Sequence, residues 1–549
     1  MTDTDRRGSA RRVGGHAVTV LAVLLVWVAL VAPAPVPGWS ASLLALVRIP
    51  VEGLVLVVAM LALHGAVRRW LEILLGILLG ALLLVRVFDA AFLATLYRPF
   101  NPLTDWRHVG SAKDLVADAA GPVTALLAVA AAGLLVVALV VAGPLAVRRT
   151  GALVDRHRDG AARTGAALAA AWLACATLGV SVAPGVPVAS SSTAALAVHE
   201  VGSVQANLRD RDVFAAEIPV DPFRDTPAPD LLTALRGKDV VLVFVESYGR
   251  VGVEQSPEVA AALDSGAGAL RAAGYSSRSA WLTSPTFGGI SWLAHSTLQS
   301  GLWVSSQQRY DQLLDTRRLT LSRAFGQAGW RTVAVVPANR RDWPEGTAFY
   351  GHEEVYDART LGYAGPGFGY APMPDQYTLS AFDRLELARR DRPPVMAEVD
   401  LVTSHVPWAP LPRLVDWATI GDGSVFMSQA GKATPRDVVW RSTSGVRTAY
   451  GQSVAYSLDS MVSFLRGTHD DDLVVIVLGD HQPASVVSGP NASHDVPVSV
   501  IARDPTVLDR IHTWRWQEGL RPGTDAPVWP MDRFRDRFLT AFSPRAGGG

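Results

Sequence analysis

Apolar runs long enough to cross a bilayer fill the first third of this 549-residue chain, and no soluble fold can absorb them. They lie at about residues 16–36, 41–67, 70–96, 122–147 and 165–184, which predicts five transmembrane helices. A cleavable signal peptide competes for the first run, since Arg6, Arg7, Arg11 and Arg12 precede it and small residues follow; the four later runs favour an anchor. Under this assignment the N-terminal arginines, Arg68/Arg69, and Arg148/Arg149/Arg156/Arg158/Arg163 share one side, which the positive-inside rule makes cytoplasmic. An odd number of spans then places everything beyond about residue 184 outside. The expectation is a multi-pass protein of the cytoplasmic (plasma) membrane with a large extracytoplasmic C-terminal part.

The lone cysteine, Cys175, falls in the fifth run, so intrachain disulfides and cysteine chemistry in the outer part are excluded. With 50 basic against 50 acidic residues there is no electrostatic footprint for nucleic acid. Residues 185–230, rich in Ser, Thr, Pro and mixed charge, read as a linker with a possible helix near the membrane, and residues 231–549 as a folded domain. Within that domain, Val- and Ile-rich runs recur at 239–245, 331–337, 395–402, 472–478 and 496–502. They are too short for buried helices and too evenly apolar for half-exposed strands, which predicts an α/β domain with a central, mostly parallel sheet flanked by helices.

Ligands of such sheets bind beyond the carboxyl ends of the strands, and polar residues concentrate there. The first run ends Val245-Glu246-Ser247, the third leads into Thr403-Ser404-His405-Val406-Pro407-Trp408, and the fourth into Gly479-Asp480-His481-Gln482-Pro483. His494 precedes the fifth run. Glu246, Asp480 and His481 form an oxygen- and nitrogen-rich set without thiolate, suited to Zn²⁺, Mn²⁺ or Mg²⁺. Taken singly, each has a plainer explanation: a cap, an ion pair or a satisfied histidine. Elsewhere, Pro285-Thr286-Phe287-Gly288-Gly289-Ile290-Ser291 sets a hydroxyl between a glycine turn and a helix start, where a serine serves as a nucleophile or merely as an N-cap. Ser291 Oγ would complete a four-coordinate metal site, whose ion would activate that oxygen. His405 and His494 would then hold phosphate oxygens or protonate a leaving group.

These residues together resemble the alkaline-phosphatase/sulfatase superfamily, specifically its membrane-anchored lipoteichoic acid synthase and phosphoethanolamine transferase branches. The resemblance implies one catalytic metal, Mn²⁺ or Zn²⁺ with Mg²⁺ possible, held by Glu246, Ser291, Asp480 and His481. It implies Ser291 as nucleophile, with a small polar residue closing the next helix at Ser300-Gly301, and Thr286 as runner-up because threonine is usual in these transferases. His405 and His494 resemble substrate-binding histidines, and Trp408, which follows the former in Ser-His-Val-Pro-Trp, is a further candidate for contact with substrate. Sulfatase chemistry is disfavoured: Leu293 and His295 stand where a formylglycine context needs Pro and Arg. A further departure concerns headgroup choice. Lipoteichoic acid synthases carry His-Gly-Asn and then Trp-x-Asn-Arg-type residues after the second strand; here Ala338-Asn339-Arg340-Arg341-Asp342-Trp343 keeps the tryptophan, with Arg340 or Arg341 to supply charge.

In the second and third apolar runs, Arg48 with Glu52 and Arg86 with Asp89 form ionisable pairs, which either pair with each other and snorkel to the interface or meet a lipid headgroup. The expected function is transfer of phosphoglycerol or phosphoethanolamine from a phospholipid donor, through a phospho-serine, to an envelope glycan or lipid. The alternatives are a membrane-anchored phosphodiesterase or phosphatase of the same superfamily, and a non-catalytic envelope-assembly protein.

Overall fold

The computed structural model describes residues 3–32, 44–96, 100, 122–183, 186–468, 470–489 and 491–543. The chain divides into two compact units, Met1–Asp210 and Arg211–Gly549. The division falls inside a helix, Ser192–Glu217, that occupies much of the expected linker.

The first unit contains α1 (Asp3–Val31), α2 (Val51–Ala62), α3 (Gly65–Leu96), α4 (Pro122–Arg156) and α5 (Arg158–Leu178). Four of them are long and apolar enough to cross a membrane: α1, α3, α4 and α5. The second run departs from expectation. Among its described residues the helix Val51–Ala62 is 12 residues long, about 18 Å against a hydrocarbon core of about 30 Å. Pro50 precedes it in extended conformation and Leu63 ends it, also extended. The segment nevertheless joins the unit's two ends. At one end Arg149 donates to Gly15 O, Arg68 to Met60 O and Arg158 to Leu61 O. At the other, Arg48 donates to Val31 O, Arg86 to Ala29 O, and Glu52 accepts from Ala194 N. Asp89 accepts from Phe100 N. All four ionisable side chains noted in the sequence are therefore engaged with backbone groups of their own unit. Helices α3 and α4 approach through small residues, for a Cβ on Gly80 would lie 2.7 Å from Leu139 O.

The second unit is built on a nine-stranded sheet. Its strands are β1 (Asp239–Val245), β2 (Ser276–Thr283), β3 (Arg331–Val336), β4 (Glu354–Asp357), β5 (Val395–Leu401), β6 (Leu473–Gly479), β7 (Asp495–Ala502), β8 (Gln517–Glu518) and β9 (Val528–Pro530). Along the sheet the order is β8-β2-β7-β6-β1-β5-β3-β4, with β9 also on β2. Strands β6, β1, β5, β3 and β4 run parallel, whereas β7 is antiparallel to β6 and β2 to β7. All five expected strands are present. The register places Val245 opposite both Gly479 and Leu401, so the residues following β1, β5 and β6 emerge side by side on one edge.

Alternation along β1 sends Val240, Leu242 and Phe244 into one core, with Ile476 and Leu478 of β6 and Phe534, Phe538 and Phe542 of the C-terminal helix. The opposite face is covered by the helix Thr443–Gly467, which packs on Pro257–Ala272. The residues ahead of β1 belong to this unit too: Asp221 lies against the wholly buried Arg535 at 3.0 Å and Arg318 at 3.3 Å.

Candidate active site

Glu246 is the first residue past β1, tied by its N–H to Leu401 O and by its carbonyl to Ser404 Oγ at 2.6 Å. Ser247 follows at φ 56, a left-handed conformation uncommon outside glycine and asparagine. That turn aims the Ser247 N–H at Asp480 Oδ1 (2.8 Å) and its hydroxyl at Glu246 Oε1 (2.8 Å), while Tyr450 donates to Ser247 O. Asp480 also accepts from the N–H of His481 at 2.7 Å. His481 Nδ1 lies 2.8 Å from Gln482 O. A carbonyl can only accept, so Nδ1 carries the proton and Nε2 presents a lone pair.

Ser291 arrives from another direction. Gly288 (φ 72) and Gly289 (φ 157) allow the turn, anchored by Gly288 N–H to Gln482 O, and Ile290 adopts φ 59 immediately before the helix Ser291–Ser300. The residue at the cap position is Ile290, which has no capping side chain. Ser291 is the first helical residue, and its hydroxyl points elsewhere: 3.1 Å from Glu246 Oε2 and 3.2 Å from His481 Nε2. The N-cap alternative is thereby corrected. Thr286 Oγ1 is buried with no hydrogen-bond partner and makes no such contacts.

Donor atoms of Glu246, Asp480 and His481 all lie within 4.8 Å of one another. His481 Nε2 is 3.4 Å from both Glu246 Oε1 and Asp480 Oδ2. A tetrahedron with metal–ligand bonds of about 2.0–2.1 Å has edges of about 3.4 Å. The edges from His481 to the two carboxylates therefore suit a divalent ion of Zn²⁺ or Mn²⁺ size, and Ser291 Oγ meets the group through the other oxygen of Glu246. Burial pulls the Glu246 carboxyl upward, yet its histidine neighbours and the hydrogen bonds of Ser247 and Asp480 bring it below the usual carboxylate range. Asp480 is pushed up to about 6, by burial first and then by the charge of Glu246. Two buried acids forced apart in this way mark a site that a cation would relieve.

Around this centre, His405 has Nδ1 on Val406 O at 2.6 Å and its ring stacked on Tyr370 at 3.6 Å. His494 has Nδ1 on Ser284 O and its ring tilted against Phe287, which pairs with Gln482. Tyr370, 41% exposed, acts electrostatically with both Glu246 and Arg340. Trp408 is not a surface contact. It is 1% exposed, donates to Ser404 O and stacks on Trp440, so it anchors the His405 loop. Trp343 and Arg341 line an open cleft of about 740 Å³ beyond the ends of β3 and β4, with Arg323, Arg359 and His352. His352 is buried, and burial lowers it to about 4, so it is neutral there.

Sequence reading passed over Ser247, Tyr370 and a second buried group, His295 with Glu398 and Asp400. Ser247 was signalled only by its adjacency to Glu246. Tyr370 follows a glycine-rich stretch, Gly365-Pro366-Gly367-Phe368-Gly369, with no sign of its target.

No protein-family model matches the chain, and no curated protein sequence matches it. Solved structures do. The full-length integral membrane lipooligosaccharide phosphoethanolamine transferase A of Neisseria meningitidis is 13% identical, covering 96% of this chain and 95% of that one at a TM-score of 0.43. The lipoteichoic acid synthase LtaP of Listeria monocytogenes is 13% identical, with 62% of this chain and 78% of that one covered, TM-score 0.39. The Streptococcus pyogenes phosphoglycerol transferase GacH, solved with sn-glycerol-1-phosphate, is 12% identical over 63% and 88%, TM-score 0.38.

Proposed function

We propose that the protein is a metal-dependent phospho-group transferase that takes phosphoglycerol or phosphoethanolamine from a phospholipid and passes it to an envelope glycan or lipid. The observation that carries this reading is the Ser291 hydroxyl, within hydrogen-bond reach of Glu246 and His481 and on the edge of the carboxylate–imidazole group that they form with Asp480. Glu246, Asp480, His481 and Ser291 Oγ would hold Mn²⁺ or Zn²⁺, which supplies Lewis-acid stabilisation of phosphate charge and a lowered hydroxyl pKa.

In the first half-reaction Ser291 Oγ attacks phosphorus, its proton held by its hydrogen-bond partner Glu246 until Ser291 is released again, and the bond from phosphorus to the diacylglycerol oxygen breaks. His405 or His494, with Nδ1 held on a carbonyl, gives a proton from Nε2 to the leaving alkoxide. In the second half the same imidazole takes the proton of an acceptor hydroxyl, whose oxygen attacks phosphorus and releases Ser291. The cleft with Trp343 and Arg341, and the nearby Arg340, would receive the headgroup or acceptor. An extracytoplasmic location of the site is supported by the arginines collected at one end of the first unit.

The test is incubation of the full chain with NBD-labelled phosphatidylglycerol and phosphatidylethanolamine and Mn²⁺ or Zn²⁺. Expected are labelled diacylglycerol and a peptide carrying the headgroup phosphate on Ser291, both absent in Ser291→Ala. Release of free headgroup phosphate at the same rate with and without acceptor would favour the hydrolase instead. Full diacylglycerol release by Ser291→Ala overturns the mechanism.

A further inference from the structure

The helix that carries Ser291 is fastened to the sheet by a buried charged group that the proposed reaction does not use. His295 lies one turn beyond Ser291 and Gln299 one turn further, so the three share a face. The His295 ring stacks on Phe244 at 3.7 Å with an interplanar angle of 11°. Phe244 is two residues ahead of Glu246 on β1. His295 Nδ1 is 2.9 Å from Glu398 Oε1 and 3.8 Å from Asp400 Oδ1. These carboxylates alternate on β5, where Glu398 is registered with Leu242 and Asp400 with Phe244. Glu398 Oε2 accepts from Gln299 Nε2 at 2.5 Å, and Gln299 Oε1 accepts from Ser322 N–H.

We propose that His295 is a positioning residue that sets the Ser291 hydroxyl against Glu246, an inference that rests on the transferase reading of the Ser291 centre. The contact with Phe244 ties the helix to the strand bearing Glu246, and the Glu398 bond ties it to the neighbouring strand. Together they fix both the height and the rotation of the first helical turn. A second metal site explains the cluster less well, because Glu398 already accepts at both oxygens, from His295 and Gln299. Simple stabilisation explains it less well too, since apolar residues of equal volume often match a buried ion pair in stability. What an apolar replacement lacks is a directional bond.

The experiment compares wild type with His295→Ala, His295→Asn and the double variant His295→Ala/Glu398→Gln, all as full chains. Asparagine places an amide nitrogen near the position of Nδ1, and the double variant removes the orphaned carboxylate. Measured are melting temperature, kcat and KM for diacylglycerol release, and Mn²⁺ affinity by calorimetry. A displacement of about 1 Å at a reacting atom costs on the order of 100-fold in rate. His295→Ala is therefore expected to lose about 100-fold in kcat with KM within about two-fold of wild type, and His295→Asn to recover most of it. The double variant is expected to regain part of the melting temperature that His295→Ala loses but none of the kcat. Recovery of kcat together with melting temperature in the double variant overturns the proposal, as does unchanged kcat in His295→Ala. A second equivalent of bound Mn²⁺ that disappears with His295 also overturns it. If wild type binds Mn²⁺ but turns over neither phospholipid, the transferase reading fails, and the affinity comparison alone decides His295. Weakened Mn²⁺ binding in His295→Ala, restored in His295→Asn, then supports positioning, and equal affinities overturn it.

Discussion

Replacing Ser247 with alanine isolates one hydroxyl beside the metal centre. Its Oγ donates to Glu246 Oε1 at 2.8 Å, while its N–H, which alanine keeps, donates to Asp480 Oδ1. The hydroxyl thus orients a proposed ligand without being one. Groups in that position typically contribute 10–100-fold in metal affinity, or about 1.4–2.7 kcal/mol, comparable with a single hydrogen bond to a charged acceptor. Ser247→Ala should weaken Mn²⁺ binding by that factor in calorimetry on chelator-treated full-length protein. The left-handed backbone at φ 56 offers an internal control. Ser247→Gly deletes the same hydroxyl but relieves the conformation, so it should stabilise the fold relative to Ser247→Ala by about 1 kcal/mol while showing the same affinity loss. Affinity within about three-fold of wild type for both variants would refute the idea that Glu246 is oriented through Ser247.

Three further outcomes follow from the same geometry. Thr286→Val, which removes the buried, unpartnered Oγ1, should leave diacylglycerol release within about two-fold of wild type and cost little stability, as leaving a buried polar group unpaired is itself unfavourable; loss of activity would make Thr286 the nucleophile. Tyr370→Ala should raise KM for the donor or acceptor by about ten-fold with kcat little changed, as expected for an exposed ring stacked on His405 that contributes about 1 kcal/mol of contact; a fall in kcat alone would refute a binding role. The His295 imidazole is opposed by burial but raised to about 9 by Asp400 and Glu398. A folded pKa above the unfolded value means stabilisation that is complete below about 6.5 and lost as pH rises through 9, worth about 3 kcal/mol at most. The melting-temperature gap between wild type and His295→Ala/Glu398→Gln should therefore narrow across that window, and a gap that widens would contradict the assignment.

The parts of this architecture legible in sequence were those written in contiguous residues. Strand β1 is seven consecutive buried positions, Asp239–Val245, and was recognisable because no other element accounts for so short and even an apolar run. Glu246 and Asp480-His481 were legible because a costly polar residue directly follows such a run. Strand β2 was not, because Ser276–Thr283 mixes Ser and Arg with Trp and Leu, and its identity comes from pairing with β7. The short helix α2 was hidden by hydropathy, which counts apolar residues but not the extended step at Ile49–Pro50. Trp408 looked like a surface contact from its neighbours His405 and Pro407, yet its left-handed backbone turns the ring inward. The His295 group was beyond sequence reasoning altogether: Glu398 is 103 positions from His295, and only the register of β1 with β5 brings them together.

Strain falls beside the proposed ligands on two separate elements. Ser247 at φ 56 follows Glu246, and Ile290 at φ 59 precedes Ser291. For a β-branched residue such as Ile290 this conformation is a true outlier, costing about 1–2 kcal/mol. Neither is a loose turn. Ser247 is held by Tyr450 through its carbonyl and by Asp480 through its N–H, and Ile290 packs against the cluster of Leu293, Val304, Tyr310 and Phe349. Surroundings that rigid would have accommodated an ordinary backbone at less cost, had folding been the sole requirement. The two departures have one geometric effect in common: they bring side chains from unconnected elements, Glu246 on a strand end and Ser291 on a helix start, to 3.1 Å. Strain stored on both sides of one contact is what the proposed role of that contact, between the carboxylate and the hydroxyl, requires.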